Sequence, residues 1–243
     1  MNNYFVINPP FCRTNHSNER FVFINKLLKK IGLRLTGSFD TAADMNSLEQ
    51  RINFFHLLRS VLDNDIPGEL VELGTFTGQS ALLFQKTLSI QPSSKSLHLY
   101  DSFNVQFKES GDVLEVLKAN FIKAKLPIPH IHKGLFEDTI PEQLPEQITF
   151  AHIDCGWGGD PKVHEELILF CMKHIYPRLS PGAVCVFMDY YDPKMNPFVP
   201  KSYHLDKINI GVRKAVNDFF KDKIEKPFLL YGGQASHGYI IKQ

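Results

Sequence analysis

The sequence predicts an α/β protein: a doubly wound, mostly parallel sheet of seven strands with an antiparallel last strand, and a small helical N-terminal extension. Three observations carry this. Short apolar runs alternate with helix-period segments from residue 68 onward, and that alternation builds a parallel sheet with helices on both faces. Four of the runs end in an acid: Glu72, Asp101, Asp154 and Asp189. The last two runs are joined by only Gly232 to His237, too short for a helical crossover, so the final strand reverses.

The elements follow in order. Phe21 to Ile31 reads as a helix with Phe21, Ile24, Leu27, Leu28 and Ile31 on one face. Arg34 to Thr41 is loop-like, and residues 1–45 form the extension, a possible lid or dimer arm. The main domain is expected over 46–243. Ser47 and Gln50 make a capping box, and Leu48, Ile52, Phe55 and Leu62 follow at helical spacing. Pro67-Gly68 ends that helix region before the first strand, which closes on Glu72. The second strand is Leu97 to Asp101, the third His130 to Gly134, the fourth Ile148 to Asp154 and the fifth Ala183 to Asp189. Helices are expected over Asp112 to Ala124, Val163 to Tyr176 and Gly211 to Phe220. Phe228 to Tyr231 and Gly238 to Ile241 close the sheet.

Composition narrows the function classes. The 243 residues suit one α/β domain with a short extension, and 43% hydrophobic content supports a continuous core. A net charge of +1 without a basic stripe argues against nucleic acid. Cys12, Cys155, Cys171 and Cys185 form no C-x-x-C pair, which argues against a zinc knuckle or a redox motif; Cys171 and Cys185 read as buried thiols. The first residues lack the blocks of a signal peptide, and no apolar run approaches membrane-spanning length. The expectation is a cytoplasmic protein without membrane partners.

Chemistry concentrates at Val71-Glu72-Leu73-Gly74-Thr75-Phe76-Thr77-Gly78-Gln79-Ser80: strand, glycine turn, helix start. Such a turn directs helix N–H groups at a ligand. The spacing Gly74-x-x-x-Gly78 is neither the dinucleotide fingerprint nor a P-loop. An acid two residues before the first glycine is instead the arrangement of S-adenosylmethionine (SAM) enzymes, where the carboxylate can bind the amino group of the methionine moiety. Asp101 lies twenty-three residues after Gly78, close to the position of a ribose-binding acid in such folds. Asp138 follows the third strand, where its carboxylate could accept from the adenine amine while Leu135 or Phe136 covers the ring. Asp154 and Asp189 end neighbouring strands. Their carboxylates could converge on a hard cation such as Mg²⁺, or Asp154 could act as general base without one.

In order along the chain, Val71–Gly78, Tyr100-Asp101-Ser102-Phe103, Gly134–Pro141, Ile153-Asp154, Tyr176–Gly182, Val186–Tyr191 and Val212–Phe220 resemble the macrocin O-methyltransferase family of class I methyltransferases. The resemblance covers roughly residues 34 to 243. It implies a SAM-dependent O-methyltransferase acting on a sugar or glycosylated natural product, usually with Mg²⁺, as a homodimer. The donor would then be held by Glu72, Gly74, Thr75, Gly78, Ser80, Asp101 and Ser102, with Phe136 and Asp138 near adenine. Asp154 and Asp189 would be metal ligands and Asp154 also the base. Two departures stand out. The family usually has a second acid where this chain has Tyr190, so metal affinity should fall unless Asp192 substitutes. There is no acid two residues after Asp154, and a Trp157-Gly158-Gly159 loop follows, so the acceptor pocket is expected to differ. Trp157 could stack on a sugar face, and His152, His164, His204 and His237 could reach the pocket but rank below the acids. A SAM-binding scaffold without catalysis is the alternative; a nicotinamide oxidoreductase is disfavoured by the glycine spacing.

Overall fold

The computed structural model describes residues 19–33, 46–91, 93–105, 111–155, 160–190, 210–230 and 237–243. Cys12, the Arg34–Thr41 loop, Trp157 and its glycines, Asp192, His204 and the turn at 232–236 lie outside the described residues. The chain divides into two compact units, Met1–Met45 and Asn46–Gln243. In the first, helix α1 (Glu19–Leu28) runs on into a 3₁₀ turn, Lys29–Ile31, stopped by Gly32 in the left-handed conformation. Its apolar residues Phe23, Leu27 and Ile31 are exposed.

The second unit opens with α2 (Leu48–Asp63), whose start is the capping box read from the sequence: Ser47 Oγ accepts from Gln50 N–H and Gln50 Oε1 from Ser47 N–H. The strands are β1 (Glu69–Leu73), β2 (Leu97–Asp101), β3 (His130–Lys133), β4 (Ile148–Ile153), β5 (Leu179–Phe187), β6 (Phe228–Leu230) and β7 (His237–Ile241). Between them run α3 (Gln79–Ile90), α4 (Val113–Lys123), α5 (Phe136–Thr139), α6 (Pro161–Ile175) and α7 (Ile210–Phe220). Asp112 and Asp160 cap α4 and α6 by accepting from the backbone N–H two residues on, and Pro161 begins α6 where its missing N–H costs nothing.

All seven strands form one sheet in the order β3-β2-β1-β4-β5-β7-β6. Strands β1 to β5 are parallel, and β7 is antiparallel to β5 and also to β6, the latter as the short connection between β6 and β7 requires. The order reverses between β2-β1 and β4, so the crevice at the carboxyl ends of β1 and β4 is the ligand position of an open α/β sheet. On one face, Val71, Leu73, Ala151, Ile153, Cys185 and Phe187 pack against α6 and α7 through Cys171, Met172, Val212 and Val216. On the other, Phe54 of α2 and Phe84 of α3 pack as aromatic edges against each other, Phe150 and His152. Among the described residues no helix is long and apolar enough to cross a membrane.

Candidate active site

Backbone hydrogen bonds run past the strand ends and fix the acids there. Gly74 N–H donates to Tyr100 C=O at 2.9 Å, Asp154 N–H to Leu73 C=O at 2.8 Å and Met188 N–H to Ile153 C=O at 2.9 Å. Phe76, Phe103 and Asp189 adopt left-handed φ values of 49°, 55° and 56°, in the segments after β1, β2 and β5. That conformation is costly for non-glycine residues, and it collects at functional sites. Gly74 (φ 80°) is demanded by the chain itself: a Cβ there would stand 2.0 Å from the Asp154 carbonyl oxygen.

Glu72 is fully buried and not solvated. Its Oε1 accepts from Ser80 Oγ at 2.5 Å and lies 2.9 Å from His152 Nδ1. Its Oε2 has no partner among the described residues, and neither do the buried hydroxyls of Thr75 and Thr77. A buried carboxylate oxygen left bare is costly and calls for a donor from outside. Helix α3 begins at Gly78, in the left-handed conformation, and no side chain caps it. Its first N–H groups thus face the same turn without a side-chain acceptor.

Asp101 serves the loop. Oδ2 accepts from Thr75 N–H and Phe76 N–H, each at 2.8 Å, and Oδ1 from Phe103 N–H at 2.7 Å. A carboxylate offers about four acceptor sites, so roughly one remains for a ribose hydroxyl while these amides stay bound. Ser102 Oγ accepts from Asn104 N–H at 3.4 Å. Beyond β3, Phe136 packs into the α6–α7 core and Leu135 is 58% exposed, so Leu135 is the side chain free to cover a ring. Asp138 is exposed beside it.

Asp154 and Asp189 interact electrostatically at the ends of the adjacent strands β4 and β5. Burial, then the Asp189 charge, raises the Asp154 pKa to about 7, with His152 opposing and Glu72 and Asp101 adding. Burial also raises that of Asp189, to about 6. Such a pair titrates as a unit and keeps a proton well above the ordinary carboxylate range. Two hard oxygen donors fit an open Mg²⁺ site completed by water and an acceptor oxygen. Among the described residues no three His, Cys, Asp or Glu side chains form a closed metal cage. Tyr190, the residue after Asp189, is buried, its OH donates to Asn217 Oδ1 at 2.6 Å, and its ring lies against Gly238. Cys155, next to Asp154, points its sulfur at Cys171 Sγ, 3.7 Å away, and that contact together with burial keeps its thiol protonated. Cys171 and Cys185 are buried free thiols, as read from the sequence.

Of the three histidines among the described residues, His152 reaches the site through Glu72. His237 is buried beside Phe54, with Nε2 3.2 Å from Asn53 Nδ2. His164 is buried on α6. The pairing of His152 with Glu72 is not evident from spacing: the residues are 80 apart, and only the adjacency of β1 and β4 sets them opposite each other.

Comparison with known proteins agrees with this architecture. The O-methyltransferase NovP superposes with a TM-score of 0.62 over 83% of this chain and 82% of its own, at 20% identity. Mycinamicin III 3''-O-methyltransferase of Micromonospora griseorubida is 24% identical over 177 residues, 63% of this chain. The 8-demethyl-8-(2,3-dimethoxy-alpha-L-rhamnosyl)-tetracenomycin-C 4'-O-methyltransferase of Streptomyces olivaceus is 25% identical over 171 residues, 61% of this chain. The match spans 66% and 63% of the lengths of these two curated relatives. The sequence pattern of the macrocin-O-methyltransferase (TylF) family matches residues 40–219, from before the capping box of α2 into the end of α7, and this chain belongs to that family.

Proposed function

We propose that this chain is a SAM-dependent O-methyltransferase that methylates a hydroxyl of a small molecule, a sugar or glycosylated natural product. The observation that carries this is Glu72: a buried carboxylate at the switch point of the sheet, with one oxygen doubly held and the other bare. A primary ammonium group supplies the missing donor, and SAM brings one next to an adenosine. Both curated relatives are named as O-methyltransferases, one of them of a rhamnosyl-tetracenomycin, which supports the acceptor class.

SAM supplies a methyl group on a positively charged sulfur, which an acceptor oxygen displaces in line. This chain's residues would orient the pair and manage one proton. Glu72 holds the donor's ammonium, the loop amides tied by Asp101 keep the turn open, and Asp154 takes the acceptor's proton. A carboxyl raised to about 7 is suited to accept a proton near neutral pH. Mg²⁺ held by Asp154 and Asp189 would lower the pKa of the acceptor hydroxyl. Homodimerisation is proposed on family resemblance, with residues 1–45 as a lid or dimer arm read from their place ahead of the main domain, and light scattering of the full chain and of residues 46–243 tests it.

The direct test is binding and turnover. S-adenosylhomocysteine (SAH) at a hundred times its Kd should add about 2.7 kcal/mol to stability, and NAD should add nothing. Methyl transfer from labelled SAM to sugar hydroxyls should appear and should vanish in Asp154→Asn with SAH binding kept. The commitment of Tyr190 to Asn217 favours one second reading, a SAM-binding protein without turnover. Stabilisation by SAH with no transfer to any hydroxylated acceptor, with or without Mg²⁺, would establish it.

A further inference from the structure

The side chains on Glu72 invite a question that its own position does not answer: why one oxygen carries both donors. Ser80 and His152 come from different elements, the first turn of α3 and the middle of the sheet, yet both meet Oε1. Glu72 and His152 are direct cross-strand partners between β1 and β4, so their side chains stand on the same face. Both are completely buried. The imidazole is held by two aromatic edges, Phe54 with ring centroids 4.9 Å away and Phe84 at 5.3 Å. An imidazole fixed by packing can hold a carboxylate in one rotamer; a flexible donor cannot.

We infer that His152 is a positioning residue for the methyl donor: its Nδ1–H pins Oε1 of Glu72 and thereby aims Oε2 at the donor's ammonium group. This rests on the reading of Glu72 given above and deepens it. With Nδ1–H gone, Ser80 alone does not fix the plane of the carboxylate, and the oxygen that faces the ammonium swings out of line. Affinity for the amino-acid end of the donor falls, and affinity for its adenosine end does not.

The test compares two ligands on the full chain by calorimetry. SAH carries the amino acid; 5′-methylthioadenosine has the same adenosine and thioether without it. His152→Leu should weaken SAH about ten- to a hundredfold, the worth of one hydrogen bond to a charged group, and leave methylthioadenosine within about twofold. His152→Asn, whose amide N–H can stand in for Nδ1–H, should restore most of the SAH affinity. Equal weakening of both ligands in the leucine variant, or none of either, would overturn the proposal, as would an asparagine variant that folds normally yet behaves like leucine. If the leucine variant does not fold, Ser80→Ala decides. It removes the other donor from the same oxygen and should weaken SAH alone; equal loss of both ligands again overturns the idea. Wild-type protein that binds neither ligand refutes the donor reading and the proposal together. Wild-type protein that binds both equally well refutes the proposal and the role of Glu72 in holding the ammonium, and leaves donor binding itself standing.

Discussion

Two buried glutamates at opposite ends of the sheet make an instructive pair. Glu225, at the pole where β5 begins and β7 ends, is fully employed. Its Oε1 accepts from Lys242 Nζ and Gln243 N–H, both at 3.1 Å, and its Oε2 from Tyr176 OH at 2.9 Å. Glu72, at the other end, crowds two donors onto one oxygen and leaves the second bare. Burial raises the Glu225 pKa, but hydrogen bonds from Gln243, its own backbone, Lys242 and Tyr176 more than reverse this, to about 2. At the rim, burial raises Asp154 and Asp189 instead. One pole closes its polar groups on themselves and ties down Lys242 and Gln243 after β7. The other leaves Glu72 Oε2 and the hydroxyls of Thr75 and Thr77 without partners among the described residues. The difference separates structural acids from those built to receive something.

The largest expected effect tests whether the rim is rigid enough to keep that arrangement. Gly74→Ala places a methyl group against the Asp154 carbonyl and forces a side chain into φ 80°. It should cost upwards of about 4 kcal/mol, or prevent folding. Gly111 has φ 115°, and a methyl group added there would meet no atom of the described residues within 4 Å, so Gly111→Ala should cost about 1–3 kcal/mol, from the backbone conformation. Urea titration of both variants measures the gap, and equal costs would mean the rim yields.

Exchanging the two glutamates for glutamine comes next. Glu225→Gln should destabilise by about 2–4 kcal/mol, because it breaks a buried charge network, and should leave SAH affinity intact. Glu72→Gln should leave stability within about 1 kcal/mol and lower SAH affinity at least about tenfold. Any other assignment of the two losses breaks the distinction between the poles.

Much of this contrast is legible in the sequence, and its limits have physical causes. Acids at four strand ends can be read because strands and helices alternate regularly. The Ser47–Gln50 box and the reversed last strand can be read because both are local. What cannot be read is how the rim acids are satisfied. Glu72 meets His152 only because β1 lies beside β4, and the spatial order of strands is not a local property. Spacing points Asp101 toward ribose, but its bonds to the amides of Thr75, Phe76 and Phe103 depend on the loop's folded path. That a tyrosine follows Asp189 is plain in the sequence, but its bond to Asn217 depends on where α7 packs.

Titration should give the two poles opposite signs. Glu225 is depressed below its ordinary 4.5, so its contribution is complete above that value and is lost as pH falls toward about 2. Asp154 and Asp189 are raised above 3.8, so the folded state binds more protons than the unfolded one between about 4 and 7, and stability falls as pH rises through that window. Asp189→Asn, which keeps a side chain tolerant of left-handed φ, should therefore stabilise the protein at pH 8 by roughly 1–3 kcal/mol and change nothing at pH 4. Melting curves in a chelator check this. A loss of stability at pH 8 would show that Asp189 is a structural acid like Glu225.

The smallest effect concerns Tyr190, the residue after Asp189. Tyr190 is buried, donates to Asn217 and lies against Gly238, with the Arg213 guanidinium over its ring. That geometry assigns it to packing between β7 and α7 and takes its oxygen out of the rim. Tyr190→Phe should lose one neutral hydrogen bond, about 1 kcal/mol, and should leave the response of melting temperature to Mg²⁺ unchanged. Asp189→Asn should abolish any such response, because it removes one of the two hard donors that remain. A Mg²⁺ response that disappears in Tyr190→Phe would mean that the phenol reaches the cation after all. The rim would then count a ligand that the structure places with the groups satisfied inside the fold.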